Sequence, residues 1–386
     1  MNNFQFVNPT KIIFGKDEIV KLTKEIPSGS KVLLIYGGGS IKKFGLLDKV
    51  KNTLKEYNLG EFGGIEPNPT YETLMKAVDF IRKEKYDFLL AIGGGSVIDG
   101  TKFIAAAVPF TNDDPWKLIV EQLPIKNALP FGTVLTLPAT GSEMNNGAVV
   151  TRKAINAKLP FRNPALFPKF SILDPVYTYT LPKKQIANGV VDAFIHVMEQ
   201  YMTYPVAGMV QDRFAEGLLL TLIEEGPKAL ETPEDYNVRA NIMWAATLAL
   251  NGLIGSGVPQ DWSTHMIGHE ITALYGLDHA QTLAIVFPSM LKIMQKDKAE
   301  KILQYSDRIW NIPKNISDAD RIALAITKTQ DFFETMGVKT RFSDYGLGQE
   351  VIEKIVAGLK AHNMVKLGER GAVTPEVAGK VLALSL

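Results

Sequence analysis

Residues Phe88 to Lys102 read Phe-Leu-Leu-Ala-Ile-Gly-Gly-Gly-Ser-Val-Ile-Asp-Gly-Thr-Lys. A short apolar run bounded by a turn signal reads as a buried strand. The three glycines let the main chain approach a phosphate closely. The helical spacing behind them offers unpaired N–H groups and a partial positive charge. Residues Lys31 to Ser40, Lys-Val-Leu-Leu-Ile-Tyr-Gly-Gly-Gly-Ser, repeat the pattern. A third run, Gly132 to Leu137, leads into Pro138-Ala-Thr140-Gly141-Ser142-Glu143. Its hydroxyls suit phosphate or carboxamide contacts, and equally a helix cap with Glu143 in the first turn. Short strands alternating with amphipathic segments such as Tyr71 to Glu84 predict a parallel α/β sheet. The strand carboxyl ends then share one edge, where dinucleotides bind.

The loop at Gly93 is neither G-x-G-x-x-G, since Ile98 fills the third glycine position, nor a Walker loop. Asp99 is placed to accept bonds from ribose or nicotinamide groups, or to serve as an N-terminal helix acid. The strand Lys31 to Tyr36 ends without an acid, and Lys42 and Lys43 follow. An acid there would repel a 2′-phosphate, so the sequence predicts NADPH over NADH.

Beyond Pro182 the pattern changes to helices, with apolar spacings of three and four over Ile186 to Met202, Val210 to Ile223, Val238 to Leu253, Trp262 to Tyr275 and Ile322 to Met336. Gly226-Pro227, Gly255 to Pro259 and Gly276 punctuate them. The expected organisation is an α/β dinucleotide-binding domain over 1–183 and an all-helical, metal-binding catalytic domain over 184–386.

All five histidines lie in that second part. Asp192 and His196 are four apart, on one helix face. His265, His269 and His279 follow within a short window. A carboxylate with several imidazoles and no sulfur suits Fe²⁺, Zn²⁺ or a similar divalent ion. Spacing alone leaves open whether His265, His269 or both take the metal. The order His-x₃-His-Glu is not the HExxH zincin motif, since the glutamate follows the second histidine, which argues against a metalloprotease. Neutral histidine ligands predict metal loss toward about pH 5–6.

Composition narrows the classes. The 386 residues carry 42 basic and 41 acidic side chains, a formal charge of +1. That balance argues against nucleic acid as a partner. Without cysteine there is no disulfide, thiolate cluster or cysteine nucleophile. No apolar run is long enough to span a membrane, and no signal peptide is read, so the expected location is the cytoplasm.

Taken in order, the motifs resemble the iron-containing (group III) alcohol dehydrogenases over the whole chain. The pattern is nearest to the NADPH-dependent aldehyde reductases and butanol dehydrogenases of bacteria. The likeness is carried by Phe14-Gly15, Gly37-Gly38-Gly39-Ser40, Glu66-Pro67-Asn68-Pro69, Gly93-Gly94-Gly95-Ser96 with Asp99 and Lys102, and Leu137 to Glu143. It continues through Leu173-Asp174-Pro175, Asp192-x₃-His196 and His265-x₃-His269-x₉-His279. The resemblance implies a Rossmann-like domain followed by an all-α domain, the architecture shared with dehydroquinate synthase. It implies metal ligands Asp192, His196, His265 and His279, with His269 as a histidine near the nicotinamide that is not a ligand; the proton for the product alcohol is then expected through His269, a ribose hydroxyl or water. It implies cofactor contacts at Gly37, Gly38, Gly39, Ser40, Asn68, Gly94, Gly95, Ser96, Asp99, Thr136, Thr140, Asn145, Lys158 and Tyr179. Of these, Gly38, Gly39 and Ser40 match the subsite for the 2′-phosphate. The implied activity is hydride transfer between NADP(H) and small aldehydes or primary alcohols, in a homodimer. A dehydroquinate synthase-like lyase and glycerol dehydrogenase-like polyol oxidation are the rival activities. Many members have Pro-His-Gly at the last ligand, where this chain has Asp278-His279-Ala280, so the local turn is expected to differ.

Overall fold

The computed structural model describes residues 1–386. Eight strands form: β1 (Lys11–Phe14), β2 (Lys31–Tyr36), β3 (Asn58–Phe62), β4 (Phe88–Gly94), β5 (Phe131–Leu137), β6 (Gly147–Arg152), β7 (Ala157–Arg162) and β8 (Phe170–Leu173). Six pair in the order β1-β8-β5-β4-β2-β3, every pairing parallel. Alternate residues serve opposite faces, as the strand period requires. Leu33, Ile35, Leu89, Ala91 and Leu135 pack on one side with α4 (Tyr71–Glu84) and α5 (Gly95–Ala107). Val32, Leu34, Leu90, Ile92 and Val134 pack on the other, against α3 (Leu46–Thr53). Short helices α1 (Leu22–Glu25), α2 (Ser40–Lys43) and α6 (Lys117–Val120) complete this part. With both faces covered, the strands read as continuous apolar runs rather than alternating ones.

The chain runs outward from β2 to β3 and then returns past β2 to β4. The order of the parallel strands therefore reverses between β2 and β4. Such a reversal opens a crevice at the carboxyl ends of the strands. The two Gly-Gly-Gly-Ser stretches sit at those two ends.

The antiparallel hairpin β6–β7 was not expected from the pattern. Its turn is a single 3₁₀ turn, Lys153–Ile155, closed by Asn156 in the left-handed region at φ 49°.

The remaining helices are α7 (Lys183–Tyr201), α8 (Met209–Glu231), α9 (Tyr236–Ala249), α10 (Ser263–Tyr275), α11 (His279–Met294), α12 (Ala299–Arg308), α13 (Asp318–Thr335), α14 (Glu350–Ala361) and α15 (Pro375–Leu384). Gly226-Pro227, read as a break, lies inside α8. Gly226 is a crossing point: a Cβ there would sit 2.9 Å from Val190 Cγ1 and 3.1 Å from Met336 Sδ. Packing against these neighbours carries the helix past a proline that removes one main-chain bond.

The contacts divide the chain into two compact units, Met1–Phe6 with Pro182–Pro233 and Leu248–Leu386, and Val7–Leu181 with Glu234–Thr247. A single boundary near 183 therefore leaves out two excursions. Asn2 N–H donates to Gly257 O, which ties the amino terminus to the helical unit. Most of α9 packs in the α/β unit: Arg239 donates to Thr178, Trp244 stacks edgewise on Phe14, and Thr247 Oγ1 donates to buried Glu143. Sequence period reveals a helix but not the unit that buries it.

Candidate active site

Helix α7 carries Asp192 and His196 one turn apart, and both side chains are buried. Helix α10 contributes His265, also buried, and α11 begins at His279. One ligand atom from each of Asp192, His196, His265 and His279 lies within 4.8 Å of the others. Asp192 Oδ1 is 3.7 Å from His196 Nδ1 and 3.6 Å from His279 Nε2. Three imidazoles and one carboxylate converging in a buried place fit a divalent cation such as Zn²⁺ or Fe²⁺. His269 is buried beside them, its ring centroid 5.3 Å from that of His279, but it is not one of the four that converge.

Burial pulls the His196 imidazole down to about 4; the charge of Asp192 opposes this, and His265 adds to it. His196 is therefore neutral, the ligating form, at the pH where the sequence predicts metal loss.

The turn at Asp278-His279-Ala280 needs neither proline nor glycine. Asp278 N–H donates to Gln281 Oε1, and its carboxylate accepts from Lys184 Nζ at 2.8 Å and Asn188 Nδ2 at 3.0 Å. The start of α11 is thus tied to the first turns of α7. Trp262, ahead of α10, stands in the left-handed region at φ 64°. Its indole N–H donates to Gln260 Oε1, and its ring meets His265 edge-on at 5.3 Å. Backbone strain of this kind persists where surrounding contacts over-determine it.

In the α/β unit, β4 ends at Gly94 and α5 starts at Gly95 with no intervening turn. A Cβ on Gly94 would lie 2.9 Å from Leu137 Cβ, and one on Gly95 2.4 Å from Thr140 Oγ1. The loop can follow this path only as glycine. Gly38 and Gly39 face open space instead, and Gly39 stands at φ 104°. Ser96 Oγ accepts from Asn68 N–H, and Asn68 Oδ1 accepts from Lys158 Nζ at 2.8 Å. The fold thus brings Asn68, Ser96 and Lys158 together. Thr136 lies at the end of β5, with Thr140 just beyond it. Tyr179 follows β8 by six residues and is half-buried.

Asp99 and Asn145 also brace the protein itself. Asp99 accepts from Ser142 Oγ at 2.6 Å and from Val149 N–H at 2.9 Å. Lys102, fully buried, donates to Ser142 Oγ, Asn145 Oδ1 and Gly147 O. Burial pulls this ammonium down to about 8, against the charges of Asp99 and Glu143.

Two residues escaped sequence reading. Glu61, at the end of β3, pairs with Lys51, accepts from Tyr36 Oη at 2.9 Å and lies 3.9 Å from Lys42. Glu199 is buried on α7 against His265. Burial first, then the charge of Asp261, raise its carboxyl well above the usual range, opposed by N–H bonds from Thr264 and His265. Its signal was available: Asp192, His196 and Glu199 share one face of the stretch Gly189 to Glu199, which is otherwise apolar.

Residues 9–175 match the family described as iron-containing alcohol dehydrogenase, and residues 186–367 the C-terminal part of the Fe-containing alcohol dehydrogenase family. The chain is 57% identical over 383 residues to the NADPH-dependent aldehyde reductase YqhD of Escherichia coli (strain K12), covering 99% of each. The chain belongs to the iron-containing alcohol dehydrogenase family. Other relatives in that family include the probable NADH-dependent butanol dehydrogenase 1 of Bacillus subtilis (strain 168), 43% identical over 92% of each chain. The crystal structure of E. coli K-12 YqhD superposes with a TM-score of 0.99 at 56% identity, covering 100% of this chain and 99% of that one. The NADH-dependent butanol dehydrogenase A of Thermotoga maritima superposes at 0.94 with 35% identity, again over 100% and 99%. The architecture of this chain is thus the parallel six-strand sheet with a helical C-terminal part that the family structures share. No helix is long and apolar enough to cross a membrane.

Proposed function

We propose that this chain is an NADPH-dependent reductase of small aldehydes that also oxidises primary alcohols. The observation that carries the reading is the convergence of Asp192, His196, His265 and His279 on one buried point. The likeness to an NADPH-dependent aldehyde reductase over nearly the whole chain supports the cofactor and the substrate class. Asp192, His196, His265 and His279 would hold Fe²⁺ or Zn²⁺, which when bound supplies a Lewis acid for a carbonyl oxygen. Gly94, Gly95 and Ser96 at the start of α5 would hold the pyrophosphate of NADPH, which when bound supplies the hydride. Gly37, Gly38, Gly39 and Ser40 would take the 2′-phosphate, with the room beside Gly38 and Gly39 and the ammonium of Lys42 nearby. Asn68, Asp99, Thr136, Thr140, Asn145, Lys158 and Tyr179 would line the rest of the cofactor. His269 would pass a proton to the product alcohol.

Glu61 does not oppose the 2′-phosphate, because Lys51 and Lys42 match its charge. We further propose a homodimer. Strand β1 is one of the two edge strands of the sheet, so one edge of its main chain has no strand partner within the chain, and Phe14 and Trp244 lie part-exposed on its flank. A reaction that consumes NADPH would work where that cofactor is kept reduced, in the cytoplasm.

The deciding experiment follows NADPH oxidation against a panel of aldehydes, with elemental analysis of the same preparation. Turnover with about one divalent metal per chain is expected. Turnover by metal-free protein overturns the Lewis-acid role, and equal kcat/KM with NADH overturns the cofactor preference.

A further inference from the structure

Four ligands on three helices hold a metal well only if the helices and the rings keep their places. Asp192 and His196 share α7, so their relation is set by helix geometry. His265 comes from α10, whose first turn has N–H groups with no partners inside the helix. These groups are met by two carboxylates. Asp261 Oδ1 accepts from Ser263 N–H at 2.8 Å, as a residue just ahead of a helix commonly does. The second carboxylate comes from another helix. Glu199 Oε1 accepts from Thr264 N–H at 2.7 Å, and Glu199 Oε2 from His265 N–H at 3.2 Å. Glu199 Oε2 also contacts His265 Nδ1. The main chain of Glu199 is tied to the same place, since its carbonyl accepts from Asp261 N–H at 2.8 Å. Asp261 is anchored in turn by Lys298, which also binds Glu369 and the carbonyl of Met202.

We infer that Glu199 is the positioning residue of the metal centre: its carboxylate holds His265 in the Nδ1–H tautomer and fixes the amino end of α10 to α7. The inference rests on the metal reading of Asp192, His196, His265 and His279. An imidazole that donates from Nδ1 carries its lone pair on Nε2, the nitrogen that can then ligate. Glu199 lies one turn beyond His196 and two beyond Asp192. One helix therefore supplies two ligands and the group that orients a third. A cap alone would call for a residue next to α10 in sequence. A buried glutamate 65 positions away from Thr264 serves the ring as well as the helix end.

The test measures Zn²⁺ affinity by chelator competition on the full chain. Wild type is compared with Glu199→Gln and with Ser317→Ala, which removes the side-chain cap of α13 away from the centre. Partners of metal ligands usually contribute about 10–100-fold to affinity, so Glu199→Gln should weaken Zn²⁺ binding by that factor. Ser317→Ala should lower thermal stability and leave affinity within about twofold. Unchanged affinity in Glu199→Gln, with stability lowered as in Ser317→Ala, overturns the inference while leaving the metal reading intact. Wild-type protein that takes up no Zn²⁺ overturns both. The ¹⁵N spectrum of the metal-free wild type gives an independent readout if the variant does not fold. A His265 signal of the Nδ1–H form is expected, and one of the Nε2–H form overturns the inference.

Discussion

At the scale of single residues, four side chains converge and His269 stands beside them, a distinction that spacing could not draw, and each carries its own test of the proposed role. His265→Ala removes one of three imidazoles from a buried set, so metal content and turnover should fall together when metal analysis and activity are run on one sample. His269→Ala leaves the four ligands in place. Metal content should hold while kcat drops by about 10²-fold or more, the usual contribution of a positioned acid or base. An unchanged kcat would remove the relay role. His196 carries a pH prediction of its own. Burial lowers its native pKa to about 4, below the ordinary value of 6.5. Between those values the unfolded chain binds more protons than the native one, so stability rises with pH across that window and falls as pH drops. Urea midpoints of metal-free protein from about pH 4.5 to 7 should rise with pH, and the slope should shrink in His196→Asn. An identical slope in that variant would assign the effect elsewhere.

At the scale of elements, helix ends and strand ends do the positioning. Helix α11 starts at His279, one of the four converging residues, and Asp278 joins that start to Lys184 and Asn188 on α7. Asp278→Ala should destabilise the protein by about 1 kcal/mol, the usual effect of losing an N-cap acid. The unfolding midpoint in denaturant checks this, and a midpoint unchanged from wild type would show that the link is only a surface contact. In the α/β unit the junction of β4 and α5 has no room for a side chain. Gly95→Ala would drive its methyl into Thr140, whose Oγ1 lies 2.4 Å from the new Cβ position. Overpacking of this kind typically costs about 1–3 kcal/mol. The displaced loop should raise the KM for NADPH more than it changes kcat, as steady-state kinetics would reveal. The local resemblance of the two Gly-Gly-Gly-Ser stretches hides a difference in cause. Gly94 and Gly95 are required by close packing, and Gly39 by its backbone angle.

At the scale of the whole molecule, the two compact units divide the residues proposed for the metal from those proposed for the cofactor. The four converging side chains belong wholly to the helical unit, and the glycine loops wholly to the α/β unit. A ligand that binds only the native form stabilises by mass action, about 2.7 kcal/mol at 100 times its Kd. Calorimetry should therefore resolve distinct responses. Chelation should lower the transition of the helical unit, and NADPH added to metal-free protein should raise that of the α/β unit. A single transition moved equally by both ligands would show that the units unfold as one.

Much of this was legible without coordinates. Strand runs, glycine loops and helical spacings are short-range signals, set by backbone sterics and by burial of one face. They placed β2, β4 and β5, marked α4 at Tyr71–Glu84, and brought Asp192 and His196 onto one face. The all-nitrogen-and-oxygen character of the ligands followed from the absence of cysteine and the clustering of histidine. Other features depend on which distant segments meet, and local period carries no record of that. Spacing left His265 and His269 open, the resemblance favoured His265, and the tertiary structure shows His265 in the converging set; only the tertiary structure decided that α8 runs through Pro227. It alone assigned most of α9 to the α/β unit, and it alone brought Glu199 against a helix 65 residues further on. In each case the deciding energy lies in burial and hydrogen bonding across the fold, which the chain acquires only when it packs.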